Sequence, residues 1–296
     1  MKDIDFDRNL IALLQLKGVG RQKIKNLIEL VNQPQRLSFS ELVEFGQMFQ
    51  LIPLNVNLQD QDNAIAFAEK IMESCIKHKI GLVSYGNEKY PASMNFTDAP
   101  VLLYYQGDLE CLNHDKRAAL IGGREPTQSG ADFAYESGSV LAEENYIVIS
   151  GLATGCDFYG HMGCLRAGGK AVAFLPAGLM NVYPAENRPL AGKIIENGGC
   201  LLSEYAPMET VKPYRFVERD RLQSASSLFV VVSSFSAASG TIHTLNYAKK
   251  YNKKIFSTTT IFEESRDGFD ELDRNKVLFE IYEKNELYHL MRNINK

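Results

Sequence analysis

The sequence predicts an α/β fold: a doubly wound, mainly parallel sheet preceded by a small all-helical domain. Three observations carry this. The first 80 or so residues repeat apolar side chains at helical spacing. From about residue 80, short apolar runs alternate with amphipathic stretches. Those runs are nearly continuous rather than alternating, which marks strands buried on both faces and hence a parallel sheet. The expected division is 1–80 helical and 81–296 α/β.

In the first part, Leu10, Leu13, Leu14 and Leu16 share one helical face, as do Ile24, Leu27, Ile28 and Val31. Gly18 and Gly20 break the chain between them. Two further helices are expected over 40–49, capped by Ser38 or Ser40, and 62–78, capped by Asp60 or Asp62. In the second part, strands are expected over 101–105, 118–121, 146–149, 171–175, 200–202, 228–232 and 254–257. Helices are expected over 129–143, 157–167, 187–196 and 239–250, with a closing helix over 277–294.

Composition narrows the function. The 296 residues are 45% hydrophobic and 23% charged, with a formal net charge of -4, so the chain is not basic throughout. No apolar stretch approaches the length of a membrane span, and Met1–Asp7 is acidic rather than signal-like. The five cysteines, Cys75, Cys111, Cys156, Cys164 and Cys200, form no close pair. A cytoplasmic protein with reduced thiols, no metal and no cofactor is expected.

Five segments carry chemistry. Lys17-Gly18-Val19-Gly20-Arg21 has the glycine turn of a helix–hairpin–helix (SAM-like) motif, whose amides suit a duplex phosphate. The alternative is a plain helical hairpin with a solvated basic face. Gly122, Gly123 and Arg124 follow a strand and precede a helix capped by Ser129, an arrangement suited to phosphate or to a simple tight turn. Ser150 and Gly151 end the next strand, with Thr154 in the loop. Asp157 and His161 then stand four apart, as a helix cap and a packed histidine rather than a catalytic pair. Lys212, Arg215, Arg219 and Arg221 interleave with Tyr214 and Phe216, which suits either stacked bases and phosphates or a solvated helix start. Ser239, Gly240 and Thr241 open a helix whose free amides suit an anion or a plain N-cap. Together these loops are expected along the carboxyl edge of one sheet, where open α/β sheets bind ligands.

The ordered set resembles the DNA-processing protein A (DprA/Smf) family. The resemblance rests on Gly122-Gly123-Arg124 with Ser129-Gly130, and on Ser150-Gly151-Leu152-Ala153-Thr154-Gly155-Cys156-Asp157 with His161. It continues through Tyr183-Pro184-Ala185-Glu186-Asn187, Ser203-Glu204, Phe216 with Arg219-Asp220-Arg221, and Ser239-Gly240-Thr241. It covers about residues 100–260 and implies an extended Rossmann-like domain, here without the C-terminal winged helix of many members. It also implies a non-enzymatic, dimeric protein that binds single-stranded DNA and loads a RecA-type recombinase during natural transformation. By carry-over, Gly122, Gly123, Arg124, Ser150, Gly151, Thr154, Phe216, Arg219, Arg221, Ser239, Gly240 and Thr241 would contact the strand. Lys17, Gly18, Gly20 and Arg21 would touch duplex backbone. Thr154 stands where the family has a basic residue, and Asp220 puts a negative charge between two arginines. Two other functions fit the residues: a nucleotide sensor or nucleotide-processing enzyme on the same fold, and an interaction protein whose pocket is vestigial.

Overall fold

Four helices open the chain in the computed structural model, which describes residues 2–294. The ends of the expected spans, residues 1, 295 and 296, lie outside the described residues. Helices α1 (Lys2–Gln15) and α2 (Arg21–Leu30) flank the glycine turn. Helix α3 (Phe39–Met48) is capped by Ser38, whose side chain accepts from the Glu41 amide while Glu41 accepts from the Ser38 amide. Helix α4 (Leu58–Lys77) begins earlier than expected, because Asn57 rather than Asp60 or Asp62 is the cap. Asp60 is instead the returning partner, accepting from the Asn57 amide at 3.0 Å.

The remainder alternates strands and helices. In order they are β1 (Gly81–Ser84), β2 (Leu102–Gly107), β3 (Arg117–Ile121), α5 (Gln128–Glu143), β4 (Ile147–Ser150), α6 (Cys156–Arg166), β5 (Ala171–Phe174), α7 (Arg188–Glu196) and β6 (Cys200–Ser203). Then come α8 (Pro213–Ser226), β7 (Phe229–Val232), α9 (Thr241–Lys250), β8 (Lys254–Thr258), α10 (Thr259–Glu264), α11 (Arg266–Arg274), β9 (Glu280–Tyr282) and α12 (Lys284–Asn293). All nine strands form one sheet in the order β1-β2-β6-β5-β4-β3-β7-β8-β9. β2 runs antiparallel to both its neighbours, β1 and β6, and every other neighbouring pair is parallel. β4 to β7 are buried at every position, which explains their unalternating apolar sequences.

The order sets the position of the site. From β3 the chain adds strands on one side through β4, β5 and β6, then returns to add β7 and β8 on the other. Right-handed crossovers put α5, α6 and α7 on one face and α8 and α9 on the other. The crevice at the carboxyl ends of β3 and β7 is therefore the switch point of the sheet.

Two expected elements differ. The stretch 277–294 is not one helix: β9 extends the sheet beside β8, and Glu283 with Glu286 then starts α12 through a capping box. Helix α5 is capped by Thr127, which accepts from the Gly130 amide at 3.0 Å. Ser129 is not the cap, because its hydroxyl donates to Glu264. Among the described residues no helix is long and apolar enough to cross a membrane.

Candidate nucleic-acid interface

At the switch point the β3–α5 loop is tied to the loop after β7. The Gly123 amide donates to the Ser234 carbonyl at 2.7 Å, and the Cys156 amide donates to the Gly123 carbonyl at 3.0 Å. Gly155, the cap of α6, has φ +76, and a Cβ there would lie 2.4 Å from the Gly123 carbonyl oxygen. Only glycine fits this left-handed position between two close backbones. The loops enclose a cavity of about 860 Å³ lined by residues from β3–α5, β4–α6, α8, β7–α9 and α10–α11.

Its rim is basic and aromatic. Arg124 is exposed and its guanidinium lies over the Phe216 ring, 5.0 Å from the centroid. Tyr183 meets Phe216 edge to face at 5.5 Å and is 40% exposed. A cation and two aromatic rings at a crevice mouth can hold a phosphate and stack a base. Thr154 is half-buried and lines a small adjoining cavity of about 90 Å³ with Arg124, Tyr183 and Phe216. Ser239, Gly240 and Thr241 line the opposite wall of the main cavity, where the Ser239 and Thr241 hydroxyls lie 2.8 Å apart.

Its floor is polar and buried, and α8 supplies it. Arg219 is 5% exposed. Its Nη1 donates to the Phe174 carbonyl at 2.8 Å and its Nε to Asp220 Oδ1 at 3.1 Å. Gly151 leaves room for it: a Cβ there would fall 1.8 Å from Nη1. Burial pushes the Asp220 carboxyl up to about 7, opposed by Arg219 and assisted by Asp157. Asp157 is also raised by burial, and accepts from the Gly151 and Ala153 amides at 3.0 and 3.3 Å. It thus ties the loop rather than capping α6. His161 is fully buried, and burial takes its imidazole down to about 3, so it is neutral at pH 7. Among the described residues no cluster of His, Cys, Asp or Glu could hold a metal.

Several expected contacts are corrected. Ser150 is wholly buried and donates to the Leu120 carbonyl at 2.6 Å, so it braces strands and faces no ligand. Arg221 is 4% exposed, lies outside the cavity lining and grips Glu204 with both Nη atoms at 2.5 Å. Burial opposes its charge, and Glu204 outweighs burial and raises the guanidinium above its ordinary value. Arg21 also turns inward, to Glu204 at 2.8 Å and Glu218 at 2.9 Å. It ties α2 to the segment after β6 and to α8. Lys17 and Gly18 line a separate cavity of about 790 Å³ against Pro53 and the start of α4, and Gly20 is the exposed cap of α2.

Four further residues line the main cavity: Gln223, His243, Glu264 and Asp267. Glu264 accepts from Ser129 at 2.6 Å and Thr127 at 2.7 Å, which lowers its carboxyl, and Asp267 accepts from the Ala237 amide at 3.0 Å. The acids sit on α10–α11, remote in sequence from the loops they brace, and no local pattern marks them.

Comparison with known proteins agrees with the fold. A family model described as DNA recombination-mediator protein A matches residues 81–289. Protein Smf of Synechocystis sp. is 28% identical over 83% of this chain, which spans 63% of that relative's length. The X-ray structure of DNA processing protein A from Streptococcus pneumoniae superposes with a TM-score of 0.75 at 26% identity, covering 95% of this chain and 97% of that one. A Helicobacter pylori DNA processing protein A, whose structure concerns its single-stranded DNA binding mode, superposes with a TM-score of 0.64 at 25% identity, over 72% of this chain and 95% of that one.

Proposed function

Because this chain belongs to the DNA recombination-mediator protein A (DprA/Smf) family, we propose that it binds single-stranded DNA at the switch-point crevice and delivers the strand to a RecA-type recombinase. The observation that carries the reading is the stacking of the exposed Arg124 guanidinium on Phe216, beside Tyr183 at the cavity mouth. A strand laid there has a cation for its phosphate and rings for its bases. The role is binding, not catalysis. In this reading the protein acts in the cytoplasm as a homodimer, in transformation or recombination. The five cysteines are buried and free, consistent with a reducing compartment.

The test is fluorescence anisotropy with a labelled thirty-residue oligothymidylate across salt concentrations. Affinity falls linearly with salt on logarithmic axes if phosphates are bound. A mononucleotide bound tightly with no oligonucleotide bound would favour the sensor reading instead. Recombinase delivery is tested separately, by whether the protein accelerates recombinase ATPase on a single strand already coated by single-strand-binding protein.

A further inference from the structure

The cavity floor holds two hydrogen-bond acceptors that nothing in the protein satisfies. Asp220 Oδ1 accepts from both Arg219 Nε and Gln223 Nε2, each at 3.1 Å. Oδ2 takes no bond from any side chain or amide, and Asp220 lines the cavity. Gln223 is 2% exposed and also lines the cavity. Its amide nitrogen is used on Asp220, which leaves Oε1 buried without a partner. An unsatisfied buried acceptor costs free energy, and a ligand N–H removes that cost. The two residues stand three apart on α8, one turn of one helix face, linked through Oδ1.

We propose that Asp220 and Gln223 form a base-reading floor that selects nucleobases presenting an exocyclic amino group, cytosine above thymine among the pyrimidines. The inference rests on the strand-binding function proposed above and deepens it. Phosphate is held at the rim by Arg124, the ring stacks near Phe216 and Tyr183, and the base edge points to the floor. Cytosine turns the N4 amino group to Asp220 Oδ2, beside the buried Gln223 Oε1. Thymine turns the O4 carbonyl, an acceptor against acceptors. The arrangement depends on Asp220 being a carboxylate and Gln223 an amide with its nitrogen already committed. An asparagine at 220 could keep its oxygen on Arg219 and Gln223 and would show the cavity a donor instead.

The experiment measures the affinities of thirty-residue oligocytidylate and oligothymidylate at pH 7.5 and fixed salt, for the unmodified protein and for Asp220→Asn and Gln223→Leu. The unmodified protein is expected to prefer the cytidylate by about fivefold or more. Both variants are expected to lose the preference while still binding oligothymidylate, which shows that they are folded. Equal affinities in the unmodified protein overturn this inference and leave the strand-binding function standing. A preference that survives both substitutions also overturns it. If neither oligonucleotide binds, the proposed function falls and the inference with it.

Discussion

Arg124 and Arg221 show how one side-chain type takes opposite roles within one site. Arg124 keeps its guanidinium in solvent over an aromatic ring, whereas Arg221 spends its charge on a buried carboxylate. The family resemblance placed both among the strand contacts, because a motif match carries residue types and not whether a side chain faces out or in. Asp220 was legible as a charge between two arginines, but its burial was not, since burial is a property of the assembled crevice. Its titration has a stability consequence. Folded Asp220 titrates near 7, well above an ordinary carboxyl. Between those values the folded protein holds a proton that the unfolded chain has released, so this group's contribution falls as pH rises toward 7 and levels off above it. The groups facing it are Arg219 and Gln223 on α8, Asp157 on α6 and Arg124 at the rim. The shift in melting temperature caused by Asp220→Asn is therefore expected to be more favourable at pH 8 than at pH 5, by about 2 °C or more. Equal shifts at both pH values would contradict the buried, ionising carboxyl.

At the scale of elements, α8 is where sequence reading and structure part furthest. Its Pro213 sits at the first helical turn, a normal start signal. Yet Arg215, Arg219, Asp220, Arg221, Gln223, Ser224 and Ser226 are all buried. A helix whose polar residues face inward has no apolar stripe, so periodicity shows only a basic-aromatic segment. The strands β3 to β7 were legible for the converse reason, since unbroken apolar runs have only one burial that suits them. Short edge elements such as β1 and β9 carry no such signature. Helix α8 is held by Glu204, which binds Arg221 from α8 and Arg21 from α2. Glu204→Gln takes from the buried Arg221 its nearest counter-charge and leaves only Asp98 at 3.8 Å, at a cost of about 3 kcal/mol or more. Thermal denaturation should show a fall of roughly 6 °C or more. A melting temperature unchanged within error would mean that the pair contributes little.

Across the whole molecule, the change of pattern near residue 80 marks a change of architecture. We propose that it does not mark an independent folding unit. Leu10, Leu13 and Ile24 from the helices belong to one apolar cluster with Val101, Leu120 and Val231 from the sheet. Arg21 crosses the same boundary. The expectation is a single cooperative transition in calorimetry for the full chain, and two resolved transitions would restore the division into separate domains. The mild acidity of the chain also acquires a position: carboxylates brace the floor and the α10–α11 wall of the crevice, while Arg124 stands at its mouth. In the proposed function, carboxylates beneath and a guanidinium above would orient a strand with phosphates outward.

The central claim is that a single strand is held at the mouth by Arg124. The most direct measurement is the salt dependence of oligothymidylate affinity for the unmodified protein and Arg124→Ala. The side chain is exposed, so the substitution should leave the melting temperature unchanged. The account predicts an affinity loss of about tenfold or more, with a logarithmic salt slope smaller by about 0.7, one phosphate contact removed. Superimposable isotherms and equal slopes would contradict it.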